Sequence, residues 1–425
     1  MKKTRLIIAL FTFCFYGLSA SSQSDYFKIT GQYRLRPELR HGYKTLTPDT
    51  AGAAFFIAQR SRLIFDYKKG NLIAHTSIQD IRTWGDEEPS KDISGLSVNE
   101  LWIELLLKNN FSIKMGRQEL AYDDQRLLGN SDWSNATRSH DALLLKYTNK
   151  EKKIYWHFGA AFNQNGEPLF GTDYNLKNYK FLGFSWLKKE FATSSISAIA
   201  IVNGLNSSVA ASKNMKASLT FGPLYNFKNT NFKAVLGTYY QTGKTDNNLF
   251  VGAYMLNAYG EIHNEKLFAG AGVDYLSGSS DKTSSSRSKS FSTLYATNHK
   301  FYGYMDYFLN IPADAKQRGL IDPYLRFGIT PSKNFKTTVD VHHFYLANEN
   351  NPGGSKKIQK RLGDEADFLL EYQPSEVINF QAGYSMMFAT ENMELIKGGS
   401  KSNYNGWAFV MVKISPSFFT QESKK

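Results

Sequence analysis

The chain has 425 residues, of which 15% are aromatic and only 11 are proline, and its formal net charge is +13. This aromatic-rich, proline-poor balance excludes collagenous and disordered classes, and the length suits two or three ordinary domains or one large barrel. The single cysteine, Cys14, lies in an N-terminal apolar run, so disulfide frameworks, thiolate zinc sites and cysteine nucleophiles are excluded from the mature protein.

The N-terminus carries Lys2, Lys3 and Arg5, an apolar run over 6–18, and then Ser19, Ala20, Ser21 and Ser22. A positive start, a short apolar stretch and a small-residue end predict a secretory signal peptide over 1–22, because the run is too short to cross a bilayer as a helix. The mature chain, 23–425, is expected to be exported and basic. No later run reaches the about 18 apolar residues of a membrane helix, so the only membrane form left open is a closed β-barrel.

Over 27–40 the odd positions read Phe27, Ile29, Gly31, Tyr33, Leu35, Pro37 and Leu39. The even positions read Lys28, Thr30, Gln32, Arg34, Arg36, Glu38 and Arg40. That unbroken period of two predicts a strand with one apolar and one polar face. Looser alternation follows over 111–115, 215–221, 339–345 and 405–414, and aromatic pairs such as Tyr239 with Tyr240 and Phe418 with Phe419 suit interfacial girdles. Short polar turns are expected at 68–71, 108–110, 149–152, 228–231, 263–266, 332–334 and 373–376. Long loops are expected near 85–96, 122–139, 163–178, 277–292 and 347–362. Short turns alternating with long loops is the outer-membrane pattern. The fold class is therefore all-β, a transmembrane antiparallel barrel formed by 23–425 as one domain. About 19 strand candidates, less the poorly alternating 299–310, give 18 strands, with 16 as the alternative. A barrel of that size leaves an aqueous channel.

Gly116-Arg117-Gln118-Glu119-Leu120, then Asp124-Gln125-Arg126-Leu127-Leu128-Gly129, Asp132-Trp133 and Arg138-Ser139-His140-Asp141 resemble the alginate export outer-membrane barrel family. Matching segments span the chain in order: Arg60-Ser61-Arg62-Leu63, Gln79 to Trp84, Asn99 to Trp102, His299 to Gly303, Asp340 to Tyr345 and Leu362 to Asp367. The resemblance implies an 18-stranded monomeric barrel in the outer membrane, with an arginine-lined lumen that conducts a polyuronate and charged loops that gate it. It adds Arg82, Arg117, Arg126, Arg138 and Lys300 to the pore-lining candidates.

A polyuronate carries one carboxylate per sugar, and arginine offers a planar fork matched to it. Arg34 with Arg36, and Arg60 with Arg62, each lie two residues apart and project from the same face of their strands. Conduction requires weak, repeated binding, and Glu100, Glu104, Glu365 and Asp367 are candidates to soften the patch by pairing with these arginines. The competing reading is that the charges only brace the wall, and Arg117 and Arg126, near a strand end and a loop, suit loop clamps. His342 and His343 point to opposite faces and cannot share a metal, and Asp123-Asp124 lacks the further oxygen ligands of a calcium loop. No catalytic motif is present. The expected partners are an anionic oligo- or polysaccharide and outer-membrane lipid, with no nucleic acid, no cofactor and no metal. A general diffusion porin is the alternative, followed by an outer-membrane enzyme or adhesin.

Overall fold

The structure, a computed structural model, describes residues 24–91, 95–171, 178–208, 214–349 and 359–423. The leader expected over 1–22 lies outside them. One sheet contains β1 (Tyr26–His41), β2 (Ala54–Lys69), β3 (Leu72–Thr83), β4 (Leu96–Leu106), β5 (Phe111–Gln118), β6 (His140–Asn149), β7 (Ile154–Phe162), β8 (Phe181–Glu190), β9 (Ser194–Asn206) and β10 (Met215–Lys228). It continues through β11 (Phe232–Lys244), β12 (Phe250–His263), β13 (Leu267–Leu276), β14 (Arg287–Ser288), β15 (Leu320–Ser332), β16 (Phe335–Leu346), β17 (Arg361–Tyr372), β18 (Ile378–Ala389), β19 (Gly406–Ile414) and β20 (Ser417–Glu422).

The sheet closes on itself. β1 pairs antiparallel with β2 on one side and with β19 and β20 on the other. β19 and β20 act as one wall strand interrupted at Ser415 and Pro416: Tyr33 faces Ile414, Ile29 faces Phe419, and the Gly31 amide donates to the Pro416 carbonyl at 2.9 Å across the gap. Proline has no N–H to offer a ladder, so the interruption falls where the ladder loses least. β14 is a two-residue segment lying parallel beside Phe250 and Val251, outside the wall. The wall is a closed antiparallel barrel of 18 strands. Closure removes the free sheet edges whose amides and carbonyls lipid could not satisfy. The aromatic stretch 299–310 contributes no strand; it holds the end of a 3-10 turn (Asn298–Lys300) and irregular chain.

Side chains alternate across the wall as the period of two requires. On β6, Ala142 and Leu144 are buried while Leu143 is 50% exposed; on β12, Ala253 and Met255 are buried while Tyr254 and Leu256 are exposed. The exposed row is apolar and faces lipid. The covered row faces the lumen.

Connections at one end are short, at 70–71, 107–110, 150–153, 191–193, 229–231, 264–266, 333–334 and 373–377. Asparagines shape them locally. The Asn229 side chain accepts from the amides of Asn231 and Phe232, and Asn264 does the same for Lys266 and Leu267, turns that asparagine forms against its own backbone. The other end carries longer connections, described over 42–53, 84–91, 119–139, 163–171, 277–319, 347–349 and 390–405; parts of the loops expected over 85–96, 163–178 and 347–362 lie outside the described residues. Two of these fold inward. Leu120, Tyr122, Leu127 and Leu128 from 119–139, with Phe291, Tyr302, Met305, Tyr307 and Phe308 from 277–319, join Leu144, Phe184, Trp186, Ile201 and Met255 of the wall in one apolar cluster. The aromatics that read as a failed strand are apolar because they fill the lumen.

Candidate conduction site in the lumen

Arg34 and Arg36 share the inward row of β1, and Arg60 and Arg62 that of β2. Register sets Arg34 directly opposite Arg60, and Gln32 opposite Arg62. Like charges directly opposite one another destabilise a sheet, and an infolded loop supplies what offsets them. Arg34 donates to the Asp132 carbonyl at 2.6 Å and to Asn135 Oδ1 at 2.6 and 3.1 Å. Arg60 meets Asp132 Oδ1 at 2.9 Å and also donates to Gln32. Arg36 donates to Glu38 at 2.8 Å and to the Trp133 carbonyl at 2.7 Å, with its guanidinium 3.9 Å from the centre of the Trp133 ring. Arg62 turns to Gln79, at 2.7 and 3.1 Å. The structure thus gathers the four expected arginines, and three of them are almost wholly covered: Arg34 is 3%, Arg36 5% and Arg60 0% exposed. Their forks hold the backbone and side chains of 132–135 against the wall.

The other expected residues are dispersed. Arg82 pairs with Asp80 at 2.7 Å at the loop end of β3. Arg117 lies on the outward row beside buried Gln118 and reaches Asp141 at 3.5 Å and the Val98 carbonyl, because β5 continues its alternation to Gln118 and sets the odd positions toward lipid. Arg126 is buried between Asp124 at 2.9 Å and Asp274 at 2.7 Å, clamping 119–139 to β13. Arg138 donates to the carbonyls of Gly129, Tyr295 and Ala296, joining the two infolded loops. Lys300 is exposed in the 3-10 turn. Of the acids expected to soften the arginine patch, none bonds to its forks: Glu100 lies within electrostatic reach of Arg62 but accepts the Glu119 amide at 3.0 Å and lies 3.4 Å from His75. Glu104 pairs with Lys146 at 2.8 Å, while Glu365 and Asp367 accept the amides of Met305 and Tyr304 at 2.8 and 3.3 Å. A carboxylate under a backbone amide anchors the 277–319 connection rather than an arginine.

The acids that do soften the patch are Asp132, from the infolded loop, and Glu38, two residues from Arg36 on the same face, which also takes Arg40 at 2.8 Å and the Trp407 indole at 3.0 Å. That spacing was visible in the alternation. Beyond Arg36 toward the long-loop end opens a cavity of about 510 Å³ lined by Arg36, Arg40, Lys44 and Arg138, with Trp133 and His299 at its side. Among the described residues Asp306 is the only carboxylate on its lining; it accepts from the Tyr43 hydroxyl and lies 2.7 Å from His299 Nδ1. Burial, and then the adjacent Asp306, push the Tyr43 hydroxyl well above its usual range, so it stays a donor. Trp133 stacks on His299 at 4.4 Å, and His299 on Tyr304 at 5.4 Å, a column of rings across the lumen.

A family model described as alginate export matches residues 25–391. The chain belongs to the alginate export family. The barrel sits in the outer membrane, and its fold and family are those of transport channels. Among solved structures it is similar to Pseudomonas aeruginosa OccK9 (OpdG), at 11% identity and TM-score 0.63 over 92% of this chain and 98% of that one. It is also similar to Acinetobacter baumannii OccAB1, at 10% identity and TM-score 0.63 over 92% and 97%. P. aeruginosa OccK1 (OpdK) gives 10% identity and TM-score 0.59 over 92% and 99%. At such identity these likenesses concern the fold. No curated protein matches the sequence.

Proposed function

We propose that this barrel conducts an anionic oligo- or polysaccharide of the polyuronate type through its lumen, as a monomer and without catalysing a reaction on it. The observation that carries the reading is the long-loop cavity, where Arg36 and Arg40 share one carboxylate, Glu38, behind the lining, and Lys44 and Arg138 add two further cations against Asp306, which Tyr43 and His299 already occupy. Guanidinium forks in a confined chamber favour carboxylates over neutral sugars. Arg34, Arg60 and Arg62 act one step back: they fix 132–137 so that the chamber keeps its floor.

The test is a planar-bilayer recording with oligouronate as blocker. The expected result is anion-selective current blocked by trigalacturonate, with both selectivity and block weakened in Arg40→Gln/Lys44→Gln. Block of equal strength by a neutral trisaccharide would replace this reading with that of a general diffusion porin.

A further inference from the structure

The lumen has a second charged chamber, at the opposite end. A cavity of about 520 Å³ opens among the inward residues next to the short turns, lined by Lys228, Lys233, Lys266 and Lys336, with Arg326 above them and Tyr304 as its inner limit. Its volume lies within the range of ligand sites.

The charges in this chamber do not cancel. Arg326 is committed to Asp340 through two bonds, at 2.7 and 2.6 Å. Glu261 stands opposite Lys233 in the ladder, yet its carboxylate accepts from the Tyr259 hydroxyl at 2.5 Å and lies 3.6 Å from His263. Glu371 likewise stands opposite Lys336, and accepts from the Gln381 side-chain amide at 3.0 Å. These neutral donors leave both carboxylates charged, so two acids on the lining face four ammonium groups, and among the described residues none of the four lysines forms an ion pair. Lys228 and Lys233 also face each other across their hairpin, a like-charge register that costs stability. Lys233 and Lys336 lie only loosely over the rings of Tyr259 and Phe268, at 5.5 and 5.2 Å.

We infer that this short-turn chamber is a second binding site for the carboxylates of an acidic oligosaccharide, engaging the chain at the mouth opposite the arginine chamber. Its ligand class rests on the channel reading; its existence rests on the four unpaired ammonium groups. Lysine suits this mouth because a flexible point charge follows a moving carboxylate without demanding the fixed geometry of a fork. Conduction is served by such weak, multiple contacts.

The site is tested by acylating the lysines of the full chain, folded in detergent, with an amine-reactive acetyl ester and reading each position by peptide mass spectrometry. With trigalacturonate at about twice its Kd, acetylation of Lys228, Lys233 and Lys336 should slow about threefold, the ratio set by 1 + [L]/Kd. Lys152, at another short turn, should be unaffected. In bilayers, Lys228→Gln/Lys233→Gln/Lys336→Gln should weaken block from the short-turn side about tenfold, or about 1.4 kcal/mol, and leave block from the long-loop side unchanged. Equal protection by inorganic phosphate, hexaglutamate or a neutral trisaccharide would overturn the assignment. Block of the wild-type channel without lysine protection would overturn this site alone. Absence of block from either side would remove the channel reading and this ligand together.

Discussion

Arg60 has no exposed surface, and its partners, Asp132 and Asn135, come from a loop more than seventy positions along the chain. Arg60→Ala strips charge-assisted bonds worth about 1.5–3 kcal/mol each and frees the floor of the long-loop chamber. The expected outcome is a noisier, larger single-channel current and a lower Tm, with ion preference kept; Lys44→Gln, by contrast, at an exposed lysine of the same chamber, should lower anion preference with little change in Tm. Single-channel noise together with reversal potentials separates the two. The same-face spacing of Arg34 with Arg36 and of Arg60 with Arg62 could be read from the alternation of the sequence. What they bind could not, since Arg34 is separated from its acceptors by 98 and 101 positions, and no local pattern announces a pairing at that distance.

At the level of elements, the inward connection 277–319 depends on two wall carboxylates and one glycine. Gly303 has φ +77°, and a Cβ there would fall on the Glu365 carboxylate that holds the Met305 amide. Gly303→Ala combines a left-handed backbone with that collision, at a cost of about 1–3 kcal/mol. Limited proteolysis should then cut within 291–310 while the wall remains resistant; a digestion pattern identical to the wild type would mean that the segment is held by its ring contacts alone. Strands and short turns were legible because their signals are local: a period of two, or an asparagine such as Asn229 folding onto its own backbone. The inward connection was legible only as a failure to alternate. Phe301, Tyr302, Tyr307 and Phe308 carry the apolarity of a wall strand, and only three-dimensional packing shows that they fill the lumen instead.

For the molecule as a whole, closure joins the first strand to a last strand that is interrupted at Pro416. The folded chain should show a mostly β circular dichroism spectrum in detergent and migrate differently on gels before and after boiling; a helical spectrum would contradict it. Anion preference should fade toward 1 M salt, where screening reaches about 3 Å and both basic chambers lose their reach. The column Trp133, His299 and Tyr304 divides those chambers with little more than the thickness of stacked rings. In a conducting barrel an applied voltage would fall mainly across such a column, much as resistance concentrates at the narrowest part of a wire. Lys300 sits beside it, and a charge carried across the full drop gains about 2.3 kcal/mol per 100 mV. If the drop falls there, current–voltage curves of Lys300→Gln should be flatter than those of the wild type; identical curves would place the drop elsewhere.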